Sequence, residues 1–211
     1  MRITVFGAAG DTGSRVVTEA LDRGHEVTAV VRRPGHHHDG AEVRMGDAAD
    51  AGDVARLSAG QDVVISATRP APGREHELAA TAEALLTGVA RTDPAARLLI
   101  VGGAATLTVP GTGGFVIDDP DFPADRRPIA LACAEQLTVC RTTETDVDWA
   151  YLSPAALLEP GKRTGVYRTG TDTLLTDDEG NSAISMEDLA VALLDEAENP
   201  AHHRTRFTVA W

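Results

Sequence analysis

A glycine-rich loop near the start of the chain constrains its fold more than any other feature. Residues 2–6 form a short, mostly apolar run typical of a buried strand, and residues 7–13 carry glycine at every third position. Apolar residues then recur at helical spacing between positions 16 and 21. A strand, a glycine loop and a helix in this order predict a tight turn where the backbone closely approaches a dinucleotide pyrophosphate. The alternative is a turn that only packs a helix on a strand.

The loop and the following residues supply the candidate phosphate-binding positions, which are Gly7, Gly10, Asp11, Thr12 and Gly13. A helix N-terminus presents free N–H groups and the positive end of its dipole to an anion. Thr12 is predicted to cap this helix and Gly24 to end it. The carboxylate of Asp11 would repel a phosphate, so its side chain is expected to point away.

Charge and composition exclude several classes of function. The 211 residues include 19 basic and 32 acidic side chains, a formal net charge of −13, which opposes binding to nucleic acid or to an anionic membrane surface. No apolar run approaches the roughly 20 residues of a membrane helix. The first apolar stretch is too short for a signal peptide, so a cytoplasmic location is predicted. Cys133 and Cys140 form no metal-binding or redox motif, and two reduced thiols are expected.

Strand-like runs alternate with amphipathic stretches, which predicts an α/β fold with a parallel sheet in one domain, residues 1–211. The predicted strands are residues 2–6, 26–31, 42–45, 62–66, 97–101, 148–152 and 205–210. The predicted helices follow residue 12 and cover 50–58, 78–89, 129–141 and 185–196. Residues 165–169 and 172–176 are predicted to pair as a β-hairpin. Residues 106–127 are rich in Gly, Pro and Asp and are predicted to form a long functional loop.

The end of the second strand bears on the choice between NAD and NADP. An acidic residue there would hydrogen-bond the ribose 2′-hydroxyl of NAD and repel a 2′-phosphate. The sequence has Arg32 and Arg33 instead, and a guanidinium suits phosphate well. NADP(H) is therefore favoured over NAD(H). The alternative is that one or both arginines are solvated surface residues.

Further candidates follow later strands at the edge where ligands bind in such sheets. They are Asp47, Ala48, Ala67, Thr68, Arg69, Gly102, Ser153 and Pro154. Asp47 could accept the exocyclic amine of adenine or act as a helix N-cap. Arg69 could hold a phosphate or an anionic substrate, or pair with a surface acid. Backbone groups at Ser153 and Pro154 would lie near the nicotinamide.

Two other features have an ordinary structural interpretation. The three histidines at 36–38 cannot easily face one ion together, and no acid or Cys cluster joins them, so a solvated loop is predicted and no metal site. Trp149 and Tyr151 alternate on a predicted strand and are expected to pack in the core.

Several segments together resemble a known family. Residues 7–13, 46–47 and 60–65 resemble the atypical short-chain dehydrogenase/reductases with NmrA-like NAD(P)-binding domains. Residues 101–104, 148–149, 152–155, 159–161, 163–165 and 185–188 resemble the bacterial NADH-flavin reductase subgroup more specifically. The flavin/biliverdin-IX-beta reductase of animals is a more distant look-alike. The resemblance covers nearly the whole chain.

The resemblance implies a Rossmann-like sheet flanked by helices, with a small C-terminal lobe at about residues 153–185 on the substrate side. It also implies roles for individual residues. Gly7, Gly10, Thr12 and Gly13 would hold the pyrophosphate, Arg32 and Arg33 the 2′-phosphate, Asp47 the adenine, and Thr68 with Arg69 the nicotinamide side.

The sequence departs from the wider superfamily at the proton donor. That superfamily uses Tyr-x-x-x-Lys, whereas the only tyrosines here are Tyr151 and Tyr167, and the only lysine, Lys162, is four residues after neither. The helix predicted at 129–141 offers only Cys133 and Glu135 as ionisable groups in its first two turns. The nearest hydroxyl after the fifth strand is Thr106.

Flavin or quinone reduction tolerates this loss, because solvent can supply the proton that accompanies the hydride. The sequence therefore predicts an NADPH-dependent reductase of a flavin, a quinone or another conjugated acceptor, in which a flavin would be a substrate and not a bound prosthetic group. Thr106 and Arg69 would orient the acceptor under loop 106–127. The alternative is a non-catalytic NADP(H) redox sensor of the NmrA-like type. An isomerase or epimerase ranks third, because it usually needs the Tyr/Lys pair. A monomer or homodimer is expected.

Overall fold

An eight-stranded sheet forms the centre of the computed structural model, which describes residues 1–211. Its strands are β1 (Arg2–Phe6), β2 (Glu26–Val31), β3 (Glu42–Met45), β4 (Val63–Ser66), β5 (Arg97–Val101), β6 (Trp149–Ser153), β8 (Arg168–Gly170) and β10 (Thr205–Ala210). The spatial order is β3-β2-β1-β4-β5-β6-β10-β8. All neighbours are parallel except β10 and β8. The predicted Rossmann-like α/β fold is confirmed.

Five helices cover the two faces of the sheet. They are α1 (Asp11–Asp22), α2 (Ala51–Ser58), α3 (Glu77–Val89), α4 (Arg127–Thr142) and α5 (Met186–Glu198). One apolar core joins α1 and α5 to the sheet, and a second joins α2, α3 and α4 to the opposite face. Strands buried on both sides are apolar at nearly every position, as Val63–Ser66 illustrates. None of these helices combines the length and the apolar character that crossing a bilayer requires.

The hairpin predicted over residues 165–176 is wrong. Arg168–Gly170 pairs with β10 instead, as an antiparallel edge strand of the main sheet. Residues 172–176 form only an isolated bridge, between Thr173 and Thr108 of the long loop. Short polar runs have the same alternation whichever partner they take, so the local pattern could not distinguish the two pairings. The sequence also gave no indication of the two-stranded sheet of β7 (Leu157–Glu159) and β9 (Ala183–Ser185).

Two predicted helix caps are also wrong. The first helix begins at Asp11, so Thr12 lies inside its first turn and Gly10 is the N-cap, without a side-chain cap. The N-cap of α2 is Asp50, whose carboxylate accepts from the N–H groups of Gly52 and Asp53, and not Asp47. In both places a residue two or three positions away meets the geometry that a cap needs.

Candidate functional site

The turn from β1 to α1 leaves a set of backbone donors without acceptors. The N–H groups of Ala9, Asp11, Thr12 and Gly13 form no hydrogen bond within the chain, and no side chain caps the helix. In most helices a Ser, Thr, Asp or Asn at the N-cap would satisfy one of these donors. Four free N–H groups at the positive end of a helix dipole form a site for an anion such as a pyrophosphate.

Glycine is required in this turn because the backbone approaches itself very closely. A Cβ at Gly13 would lie 2.1 Å from the carbonyl oxygen of Gly7, and a Cβ at Gly7 would lie 2.5 Å from the carbonyl oxygen of Ala67. Gly7 also has a φ of 81°, in the left-handed region that favours glycine. These approaches bring the ends of β1 and β4 and the start of α1 into one crevice, with Ala67 and Thr68 beside the loop.

The two arginines after β2 are exposed and have no partner. Neither Arg32 nor Arg33 forms a hydrogen bond or an ion pair within the chain. The loop that carries them returns to the glycine loop through His38, whose Nε2 lies 3.0 Å from the carbonyl oxygen of Ala8. The prediction of a solvated loop is therefore wrong at His38, although it describes His36 and His37, which are both exposed.

The other adenosine-side candidates lie at the start of α2. The carboxylate of Asp47 is exposed and accepts a hydrogen bond from the N–H of Ala49 at 3.0 Å, while Ala48 is buried. Asp11 is exposed, and its carboxylate forms no hydrogen bond. The free oxygen of Asp47 remains available to a ligand.

A tyrosine lies buried beneath the end of β5. The ring of Tyr151 packs on Gly102, where a Cβ would lie 1.9 Å from the ring, and its hydroxyl lies within hydrogen-bond distance of Cys133 and Gln136 on α4. Burial raises the pKa of Tyr151 well above its usual value and raises the pKa of Cys133 to about 11. Both groups are therefore neutral near pH 7. The core position predicted for Tyr151 agrees with its complete burial.

Thr106 lies at the foot of the long loop and is held by a buried arginine. The hydroxyl of Thr106 accepts a hydrogen bond from Nη1 of Arg206 at 2.8 Å, and Nε of Arg206 lies 2.9 Å from Asp172. The loop itself is ordered around a 3₁₀ turn, Val116–Asp118, with Ile117 buried against Ala105. The Thr106 hydroxyl keeps its own proton to donate.

The remaining candidates end β4 and β6. Arg69 is exposed and pairs with no acid, so the surface ion pair considered as its alternative is absent. Ser153 and Pro154 are buried, and the Ser153 hydroxyl has no hydrogen-bond partner. These groups lie at the same carboxyl edge of the sheet as Gly102 and Thr68.

A strap made of residues 161–165 crosses from the small two-stranded sheet to α1. The two acidic residues that hold it, Asp188 and Glu19, were not predicted from the sequence. The buried carboxylate of Asp188 accepts from the N–H groups of Thr164 and Gly165, from the Thr164 hydroxyl and from the indole of Trp211. Arg163 pairs with Glu19 of α1 at 2.7 Å. The only signal was the capping pattern at residues 185–188, and only half of that box forms, because Asp188 turns to the strap and not to the backbone N–H of Ser185.

Comparison with known proteins agrees with this geometry. Residues 7–200 match the model of the NAD(P)H-binding family. Three similar solved structures are described, each with the qualifier "putative", as an exported protein of Burkholderia pseudomallei, an epimerase of Bacteroides thetaiotaomicron and an NADH-flavin reductase of Streptococcus pneumoniae. Their identities are 40%, 38% and 32%, each with a TM-score of 0.89. Each comparison covers all of this chain and at least 96% of the other.

Proposed function

Because the chain belongs to the NAD(P)H-binding family, we propose that it is an NADPH-dependent reductase of a flavin, a quinone or a similar conjugated acceptor. The observation that carries the proposal is the set of free N–H groups at Ala9, Asp11, Thr12 and Gly13, which fits the pyrophosphate of a dinucleotide. When bound, NADPH would supply a hydride.

The rest of the crevice supports a dinucleotide laid across the carboxyl edge of the sheet. The unpaired guanidinium groups of Arg32 and Arg33 are available for a 2′-phosphate, and the free oxygen of Asp47 for the adenine amine. The opposite end would lie beside Thr68 and Gly102, with the ring of Tyr151 packed on Gly102 from within the core. This arrangement is the basis for favouring NADP(H) over NAD(H).

The acceptor is inferred from the lack of a proton donor. Tyr151 is enclosed, Cys133 keeps its proton, and Lys162 belongs to the strap. Conjugated acceptors need only proximity and orientation, since water can complete the protonation. The free cation of Arg69 and the hydroxyl of Thr106 would orient such an acceptor under loop 106–127.

A second candidate function is a redox sensor that binds NADP(H) without turnover. The same lack of a titrating donor near the crevice favours it. One relative is described as an epimerase, but that chemistry needs a proton-transferring pair that these residues do not offer.

The deciding experiment measures NADPH oxidation by the pure protein with FMN, FAD, riboflavin and quinones. The control is Gly10→Trp, because an indole at the N-cap would fill the phosphate site. Turnover that disappears in the control supports the reductase. Tight NADPH binding without turnover with any acceptor contradicts the reductase and supports the sensor.

We further propose that the protein is cytoplasmic and acts on small molecules as a monomer or homodimer. One relative is described as exported, so fractionation of the native host is the appropriate test. Recovery outside the cytoplasmic fraction would contradict the location.

A further inference from the structure

We propose that His38 is a positioning residue that holds the loop of Arg32 and Arg33 against the glycine loop and thereby sets the preference for NADPH over NADH. The inference rests on the proposed function, since it assigns part of the same dinucleotide site. It comes from a contact that neither the sequence pattern nor the similarity to other proteins indicates, the one between His38 and Ala8.

The contact has a defined donor and acceptor. The carbonyl oxygen of Ala8 can only accept, so Nε2 of His38, 3.0 Å away, carries the hydrogen. His38 is partly buried, whereas its neighbours His37 and Asp39 are exposed and pair with each other at 2.8 Å. Among three consecutive histidines, only the third therefore faces the site.

This hydrogen bond is the only one that fixes the loop to the glycine turn. Residues 32–41 connect β2 to β3, and their only other backbone hydrogen bond joins the N–H of Ala41 to the carbonyl oxygen of His38 within the loop. Gly35 and Gly40 on either side of His38 have φ values of 101° and 89°, and a Cβ at Gly35 would meet nothing. Without the His38 bond, no hydrogen bond would join the loop that carries the two arginines to the glycine turn.

The pyrophosphate site has supports of its own. The N–H of Ala8 donates to Val30 at 3.3 Å, and the N–H of Gly10 donates to Gly7 at 2.9 Å. The close approach of Gly13 to Gly7 fixes the first turn of α1 independently of the loop. Loss of the His38 bond should therefore weaken contacts to the 2′-phosphate, which NADH lacks, and leave contacts common to both dinucleotides.

The test measures the Kd of NADPH and of NADH by calorimetry for the full chain and three variants, His38→Ala, His38→Gln and the control His37→Ala. A net hydrogen bond of about 1 kcal/mol predicts that His38→Ala raises the NADPH Kd about fivefold and changes the NADH Kd less than about twofold. His38→Gln keeps an N–H donor and should recover most of the NADPH affinity. The control should match the wild type, and thermal unfolding should show all variants folded.

Three results would overturn the inference. Equal weakening of NADPH and NADH in His38→Ala would show that His38 supports the glycine turn and not the arginine loop. Unchanged affinities in His38→Ala, with a wild type that prefers NADPH, would reject the role of His38 and leave the proposed function intact. A wild type that binds NADH as tightly as NADPH would reject the assigned 2′-phosphate site itself, and with it the NADP(H) preference.

Discussion

The hydroxyl of Tyr151 donates a hydrogen bond to the carbonyl oxygen of Cys133, 2.9 Å away on α4. This hydrogen bond directs the phenol hydroxyl toward α4. The ring fills the space over Gly102, so the hydroxyl cannot turn toward the carboxyl edge of the sheet. Tyr151 is thus a packing residue of the core and not a proton donor.

Replacement of Tyr151 by Phe should therefore leave NADPH oxidation within about twofold of the wild type. The free energy of unfolding should fall by about 1 kcal/mol, because the buried acceptors on α4 lose their donor. Steady-state kinetics and thermal unfolding check both values. A loss of activity of about a hundredfold or more in a folded variant would make Tyr151 a proton donor and contradict the proposed mechanism.

The substitution Gly13→Ala should weaken NADPH binding by more than about tenfold, because the helix must move away from β1 and its free N–H groups move with it. The predicted clash is the 2.1 Å approach to the Gly7 oxygen. Gly24→Ala is the matched control, since a Cβ there meets nothing and only the φ of 79° is unfavourable. It should cost about 1 kcal/mol of stability and no affinity. Equal affinity in both variants would show that this turn does not bind the cofactor.

Reversal of charge at Arg32 tests the 2′-phosphate site. Arg32→Glu should raise the NADPH Kd by at least about tenfold and the NADH Kd by less than about threefold, because only NADPH carries the repelled phosphate. Arg33→Glu measured alongside identifies which of the two exposed guanidinium groups contributes more. If Arg32→Glu weakens both dinucleotides equally, the 2′-phosphate must bind elsewhere.

Acid should loosen the strap through Asp188. Burial would raise the pKa of Asp188, but hydrogen bonds from Thr164, Trp211 and the strap backbone outweigh it, so the pKa is lowered. A pKa below the unfolded value of about 3.9 gives stability that is complete above about pH 5 and is lost as the pH falls through the folded pKa.

Asp188→Asn should therefore destabilise the protein by on the order of 2 kcal/mol at pH 7 and make its stability less dependent on pH between about 5 and 3. Denaturant unfolding across this range measures the slope. Some acid sensitivity will remain, because the pKa of Glu19 and that of Glu196 are lowered as well. An unchanged slope would show that Asp188 titrates alike in the folded and unfolded chains.

The central sheet could be predicted because its strands carry their own signal. Buried parallel strands such as Val63–Ser66 are apolar at nearly every position, and glycine marks where β1 ends. The edge at Arg168–Gly170 could not be predicted, since a short polar strand takes its partner from distant sequence. The ion pair between Arg206 of β10 and Asp172, two residues after the edge strand, decides where that strand lies. These two residues are 34 positions apart in the sequence.

The site was predictable where backbone geometry demands a particular residue and not where a side chain acts at a distance. Gly7 and Gly13 have to be glycine, so they are visible in one sequence. His38 looks like part of a polar run, because its contact with Ala8 spans 30 residues and depends on how the loop folds back. Asp188 looks like a cap residue until the strap is seen to use both of its oxygens.

Strand β10 lies inside the sheet, between β6 and β8, although it is formed by residues 205–210. During synthesis on the ribosome, one edge of β6 therefore lacks its hydrogen-bonding partner strand until nearly the whole chain has emerged. That unpaired edge is a template for intermolecular strand addition. Ribosome-bound chains that stall before residue 205 should consequently depend on chaperones, even though the dinucleotide-binding half has already been made.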